Sequence, residues 1–113
     1  MLEKTRRIKG GDVFNDIYKN GDRFFSKHFT LFLKKNKGKS GFACVVSKKV
    51  SKKAVLRNKL RRRCYSAIRK NLPYIKEGYF FIILLKGSAA GLSISELEKN
   101  LMAAFKQKEC YSK

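Results

Sequence analysis

Tyr79-Phe-Phe-Ile-Ile-Leu-Leu85 is a continuous apolar run of strand length that follows the turn Lys76-Glu77-Gly78. A strand with one wet face alternates polar and apolar residues, so this unbroken run predicts a central strand covered on both faces. Upstream, Phe29-Thr-Leu-Phe-Leu-Lys34 does alternate. Phe29, Leu31 and Leu33 fall on one face, and Thr30, Phe32 and Lys34 on the other. Asn36 to Gly41 reads as a turn, after which Phe42-Ala-Cys-Val-Val-Ser47 is expected as the second strand of an antiparallel pair. Phe24 and Phe25 leave room for one earlier strand.

Helices frame these strands. Val13, Phe14, Ile17 and Tyr18 recur at helical spacing, which predicts a short amphipathic helix from about Asp12, its cap, to Asn20-Gly21, its stop. From about Lys52 to Leu72 there is no Gly or Pro, and Pro73 ends the helix. Leu56, Leu60, Cys64, Ala67 and Ile68 make its apolar stripe, opposite Asn58, Lys59, Arg62, Ser66, Arg69 and Lys70. Arg57 falls inside the apolar arc and is expected either to leave past the sheet edge or to snorkel from it. Ser95 and Glu98 read as a capping box before Leu97, Leu101, Ala104 and Phe105. The order α-β-β-α-β-α predicts an α+β two-layer fold, an α/β sandwich of a small mixed sheet and about three helices, in one domain over residues 1–113.

The 113 residues carry a net charge of +20, with 43% hydrophobic and 12% aromatic residues. That apolar content excludes disorder as the default, so the charge belongs on the surface of a packed domain. A small body this cationic calls for a polyanion, nucleic acid first and an acidic membrane surface second. The longest apolar run is far short of the roughly 20 residues that span a bilayer. The opening Met1-Leu-Glu-Lys-Thr-Arg-Arg-Ile-Lys-Gly-Gly11 lacks the apolar stretch of a secretory signal, and the expectation is a cytoplasmic protein. Cys44, Cys64 and Cys110 are odd in number and lack Cys-x-x-Cys spacing, as expected of reduced structural thiols.

His28 is the single histidine, and there is neither a Gly-rich phosphate loop nor a Gly-x-Ser-x-Gly elbow. No catalytic site is expected in the chain alone. Asp12 and Asp16 share a helix face, but two carboxylates are too few for a metal site of the protein's own.

Between Asp22 and Glu77 lie 54 residues without a carboxylate, and 18 of them are Lys or Arg. From Ser47 to Lys70 the density reaches eleven in twenty-four. Like charges at i and i+4, such as Arg57 and Arg61, destabilise a helix unless phosphates neutralise them, so this helix is read as RNA- or DNA-binding. Arg suits the role because its planar fork meets phosphate oxygens bidentately.

Val46-Ser-Lys-Lys-Val50 followed by Ala54-Val-Leu-Arg-Asn-Lys-Leu-Arg-Arg-Arg63 resembles the protein component of bacterial ribonuclease P. The hallmark Arg-Asn-basic-any-basic-Arg helix is met by Arg57, Asn58, Lys59, Arg61 and Arg62, and the likeness runs from Arg6-Arg7-Ile8 to the last helix. One departure is Tyr65, where the family usually has Arg; Arg69, one turn beyond, is the candidate substitute.

The resemblance implies a left-handed β-α-β crossover, against the usual handedness. It implies a catalytic centre in a partner ribonuclease P RNA with Mg²⁺, and a protein that binds that RNA and the 5′ leader of precursor tRNA without an obligate protein partner. Arg57, Asn58, Lys59, Arg61, Arg62, Arg63 and Arg69 become the contacts to the catalytic RNA, and Phe14, Tyr18, Phe32, Ser47, Lys48 and Lys49 the leader contacts. Unpaired bases stack on aromatic rings at roughly 1–3 kcal/mol each. Helical spacing favours a core role for Phe14 and Tyr18, which leaves Phe32 as the better stacking candidate. A structural ribosomal protein shares the charge and size but not the Arg-Asn motif. A DNA-binding protein would need a helix-turn-helix or a dimerising heptad, and neither is visible.

Overall fold

The computed structural model describes residues 4–112. Seven elements follow in order: α1 (Gly11–Asn20), β1 (Asp22–Phe25), β2 (Phe29–Lys35), β3 (Gly41–Val46), α2 (Ala54–Asn71), β4 (Tyr79–Leu85) and α3 (Ile94–Gln107). The earlier strand near Phe24 is therefore present. Short 3-10 turns occupy Lys4–Arg6, Leu72–Tyr74 and Gly87–Gly91.

The sheet order is β1-β2-β4-β3. β4 is central, antiparallel to β2 and parallel to β3. This corrects the expected β2–β3 hairpin: the turn at Asn36 leaves a gap one strand wide, and β4 fills it. The reason lies in β4's composition, since its seven residues are all large and apolar and lose most contact with water in the middle of the sheet. The entrance is fastened by Asn36 N–H donating to Gly78 O at 2.9 Å and Tyr79 N–H to Ser40 Oγ at 3.1 Å. The unit β3-α2-β4 is the β-α-β connection to which the family's crossover belongs.

Each face has its own core. Phe81, Ile83 and Leu85 join Phe29, Leu31 and Leu33 of β2 and Phe42, Cys44 and Val46 of β3 beneath α2 and α3. Ile82 joins Phe32 and Ala43 beneath Ile17 of α1, with Phe80, Leu84, Phe14 and Ile8 packed around them. The period-two split of β2 holds residue for residue. In the larger core Phe81 stacks on Phe42 at 5.4 Å and meets Phe105 edge-on at 4.8 Å.

Three local expectations change. The capping box of α3 is Ser93 with Glu96, one turn earlier than Ser95 with Glu98: Glu96 N–H donates to Ser93 Oγ at 3.1 Å and Ser93 N–H to Glu96 Oε1 at 3.0 Å. Glu98 instead accepts from the buried Asn71 amide at 2.9 Å, which ties α3 to the end of α2. At α1 the cap residue is Gly10, not Asp12; its φ of 91° is costly for any residue with a Cβ. Asp12 sits in the first turn, where it favours the helix dipole. At Gly21 the stop works by closeness, since a Cβ there would lie 2.5 Å from Ile17 O. Finally, Leu56 drops out of the α2 stripe, whose buried members are Leu60, Cys64, Ala67 and Ile68.

Phe81→Ala should lower unfolding free energy by about 3–5 kcal/mol in urea titration, because the cavity opens where three aromatic rings meet. Ser93→Ala should cost only about 1 kcal/mol.

Candidate nucleic-acid interface

Two surfaces on opposite sides of the sheet gather the residues singled out in the sequence. The first is the exposed flank of α2. Asn58, Arg61, Arg62 and Tyr65 follow i, i+3, i+4 spacing and share one side of the helix. With Arg7 and Cys44 they line an open depression of about 370 Å³. Arg61 donates to Asn58 Oδ1, so the asparagine orients the guanidinium. Lys59 and Arg63 lie on the other flank, beside Val50, Leu56 and Leu60. Arg57 turns back, its Nη1 donating to Ser51 O at 2.8 Å, so it ties the loop before α2 to the helix. Arg69 sits apart from the Arg61 depression, in a separate one with Arg6, Pro73 and Glu77. The basic motif therefore covers both flanks of the helix.

Tyr65 has two partners. Its hydroxyl accepts from Cys44 N–H at 3.1 Å on the open edge of β3, and the Arg7 guanidinium lies over its ring, 5.1 Å from the centroid. Beneath it Cys44 Sγ and Cys64 Sγ are 2.7 Å apart and buried. Burial, then Cys64, push the Cys44 thiol well above its ordinary range, while the Arg7 and Arg61 charges pull the other way.

The second surface is a groove of about 610 Å³ beside α1, at the ends of β3 and β4. Phe14, Tyr18, Ser47 and Lys49 line it, with Val45, Leu84 and Lys86. Lys48 is exposed in the tight turn after β3, where Val50 N–H donates to Ser47 O at 3.0 Å, but does not line the groove. The aromatic assignment inverts here. Phe32 is 3% exposed and belongs to the core under α1, whereas Tyr18 is 44% exposed. A ring under a helix cannot stack with a base, so Phe32 acts from below: it packs 4.8 Å from Tyr18, and Arg23 lies over both rings. Phe14 is half-buried and stacks on Tyr18 at 6.4 Å. Arg23 and Lys86 were not singled out in the sequence, since each is one cation among 28; only pairing places them. Lys86 Nζ donates to Ser26 O at 2.9 Å.

The carboxylates near these surfaces are engaged. Asp16 pairs with Lys34, which, with Asn20, holds its carboxyl below the usual range. Asp22 pairs with Lys108 at 2.9 Å. Glu77 takes both guanidinium nitrogens of Arg6, at 2.7 and 2.9 Å, and the N–H of Ser40 at 2.8 Å. Arg6 first, and the Ser40 N–H, bring its carboxyl down to about 2. Among the described residues no three His, Cys, Asp or Glu side chains come together as a metal site. His28 Nδ1 lies 2.8 Å from Ser88 Oγ, and His28 does not line the groove. No helix among the described residues is long and apolar enough to cross a membrane.

The chain is thus an α+β domain with a cationic helix flank and a separate aromatic groove. The family model for ribonuclease P matches residues 2–109. The chain is 38% identical over 93 residues to the ribonuclease P protein component of Microcystis aeruginosa, covering 78% of each chain. It is 34% identical over 113 residues to that of Rippkaea orientalis, covering 91% of this chain and 89% of the relative. The RNase P protein of Staphylococcus aureus superposes with a TM-score of 0.86 at 25% identity, covering 96% of this chain and all of the other. The chain belongs to the ribonuclease P protein family. Its role is that of a protein subunit in tRNA 5′ processing.

The Arg6–Glu77 pair yields a pH prediction. A carboxylate whose value is depressed in the folded state stabilises it above the ordinary 4.5 and loses that contribution as pH falls toward about 2. Because Glu77 is half exposed, Glu77→Gln should cost no more than about 1 kcal/mol at pH 7. Urea titrations should show the gap to the unchanged chain closing between those two pH values; a pH-independent gap would contradict the pairing.

Proposed function

We propose that the two surfaces divide the labour of a ribonucleoprotein: the α2 flank binds ribonuclease P RNA, and the α1 groove takes the 5′ leader of precursor tRNA. The first assignment is supported by Arg61, Arg62 and Asn58 lining one depression that has no carboxylate among its described lining residues, with Lys59 and Arg63 on the opposite flank for a second strand. Folded RNA presents phosphates on more than one side of a helix, as this distribution needs.

The observation that carries the leader assignment is the Tyr18 ring, exposed above Phe32 and beside a groove that also holds Ser47, Lys49 and Lys86. An unpaired base can stack on Tyr18 while the lysines meet the backbone phosphates. Arg23, held by Tyr18 O at 3.0 Å, brings another cation to the same rings.

Hydrolysis of the leader bond belongs, in this reading, to the partner RNA with Mg²⁺. Near the two surfaces, Asp16, Asp22 and Glu77 are each paired with a cation. What the chain contributes is neutralised phosphate repulsion between two RNAs and a held leader.

Tyr18→Ala should weaken binding of leader-bearing precursor tRNA to the assembled particle about tenfold, within the range for one stacked base, and leave leaderless tRNA unchanged. Equal losses on both substrates would remove the groove assignment.

A further inference from the structure

Leu56 belongs by spacing to the apolar stripe of α2, yet it is 45% exposed, next to Val55 at 73%. It shares one side of the helix with Lys59, Leu60 and Arg63, at i, i+3, i+4 and i+7. That side lines a depression of about 230 Å³ together with Val50 and Ser51 of the loop after β3 and Ala90 of the 3-10 turn Gly87–Gly91. Within it Leu60 is buried, Arg63 half-buried, and Leu56 and Lys59 exposed. Its outer walls are fastened: Arg57 Nη1 donates to Ser51 O at 2.8 Å, and the buried Ala89 anchors the turn that carries Ala90.

We propose that this depression seats one unpaired nucleotide of ribonuclease P RNA, its base against Leu56, Val50 and Ala90 and its phosphates on Lys59 and Arg63. This deepens the reading of α2 as the surface for that RNA and rests on it. Charge decides the class of occupant. From Ser47 to Lys70 eleven of twenty-four residues are cationic and none is acidic. An uncharged apolar segment seated here would strip water from Lys59 and Arg63 without pairing them, whereas a nucleotide joins an apolar face to an anion. Paired RNA keeps its base faces stacked, so only a splayed base can fill an apolar recess. Ser51 adds a polar contact, since its Oγ accepts from Lys53 N–H at 3.2 Å and its hydroxyl proton can donate to a base edge or a 2′-hydroxyl. The recess therefore selects an unpaired position in the RNA, which phosphate contacts alone cannot do.

The test uses the full chain assembled on ribonuclease P RNA from the same organism. A benzophenone amino acid placed at Leu56 should give an adduct at one unpaired nucleotide of that RNA. Leu56→Ala should weaken binding about fivefold with the slope of log K against log salt unchanged, because apolar burial is lost and no ion pair is. Leu56→Met should bind like the unchanged chain. Lys59→Gln should instead lower the slope by about one unit. An abasic site at the crosslinked nucleotide should cost the unchanged chain about as much as Leu56→Ala does, and should make Leu56→Ala silent, as two groups in direct contact require. Thermal midpoints near that of the unchanged chain confirm folding. The proposal is overturned if Leu56→Ala binds with unchanged affinity while Lys59→Gln loses affinity and slope, or if the losses from Leu56→Ala and the abasic site simply add. Adducts to a second copy of the chain, or to paired nucleotides only, also overturn it. If Lys59→Gln, Arg63→Gln and Arg62→Gln all leave affinity and slope unchanged, the reading of the α2 flank fails along with it.

Discussion

β4 must be paired at both edges and covered on both faces, and the rest of the molecule answers that requirement. Its neighbours are β2, antiparallel, and β3, parallel, and the parallel pairing demands a crossover long enough to be a helix. That helix is α2, so the element carrying the densest positive charge is held against the sheet by Leu60, Cys64, Ala67 and Ile68 while its other sides stay exposed. The opposite face of β4 is covered by α1 through Ile17, which sets Tyr18 at the lip of a groove. The two proposed binding surfaces are therefore consequences of the same buried strand.

Covering β4 in this way leaves β3 as an outer edge, a liability in any sheet. Two contacts close it: the strand-like residues 6–8, fastened by Arg6 to Glu77, and the Tyr65 hydroxyl. Both bring cations or a platform for them to the α2 flank. Edge protection and the proposed RNA-binding face thus share residues. The charge of +20 fits this economy, because the repulsion it creates is relieved only when phosphates arrive.

Periodicity made much of this legible. The two faces of Phe29–Lys35 follow from a spacing of 2.0 and the apolar stripe of α1 from one of 3.6, while the central position of Tyr79–Leu85 follows from its unbroken apolar run and the ends of α1 and α2 from Gly21 and Pro73. Pairing partners were not legible, because a turn at Asn36 is as compatible with a hairpin as with a gap that a later strand fills. The basic face was visible as a run of arginines and an asparagine, yet helical angles do not say that Arg57 folds back onto Ser51 or that Arg7 arrives from another segment. The exchange between Phe32 and Tyr18 has the same origin. Thr30 and Lys34 made the Phe32 face look wet, and only the packing of α1 over it shows which ring is buried.

The central claim is that one small domain presents two surfaces to two different RNA strands. Site-specific photo-crosslinking in the assembled particle tests it directly, with a benzophenone amino acid placed at Tyr18 in one preparation and at Arg62 in another. The account predicts adducts to the 5′ leader of bound precursor tRNA from position 18 and to ribonuclease P RNA from position 62. Adducts from both positions to the same RNA, with the leader untouched, would contradict it.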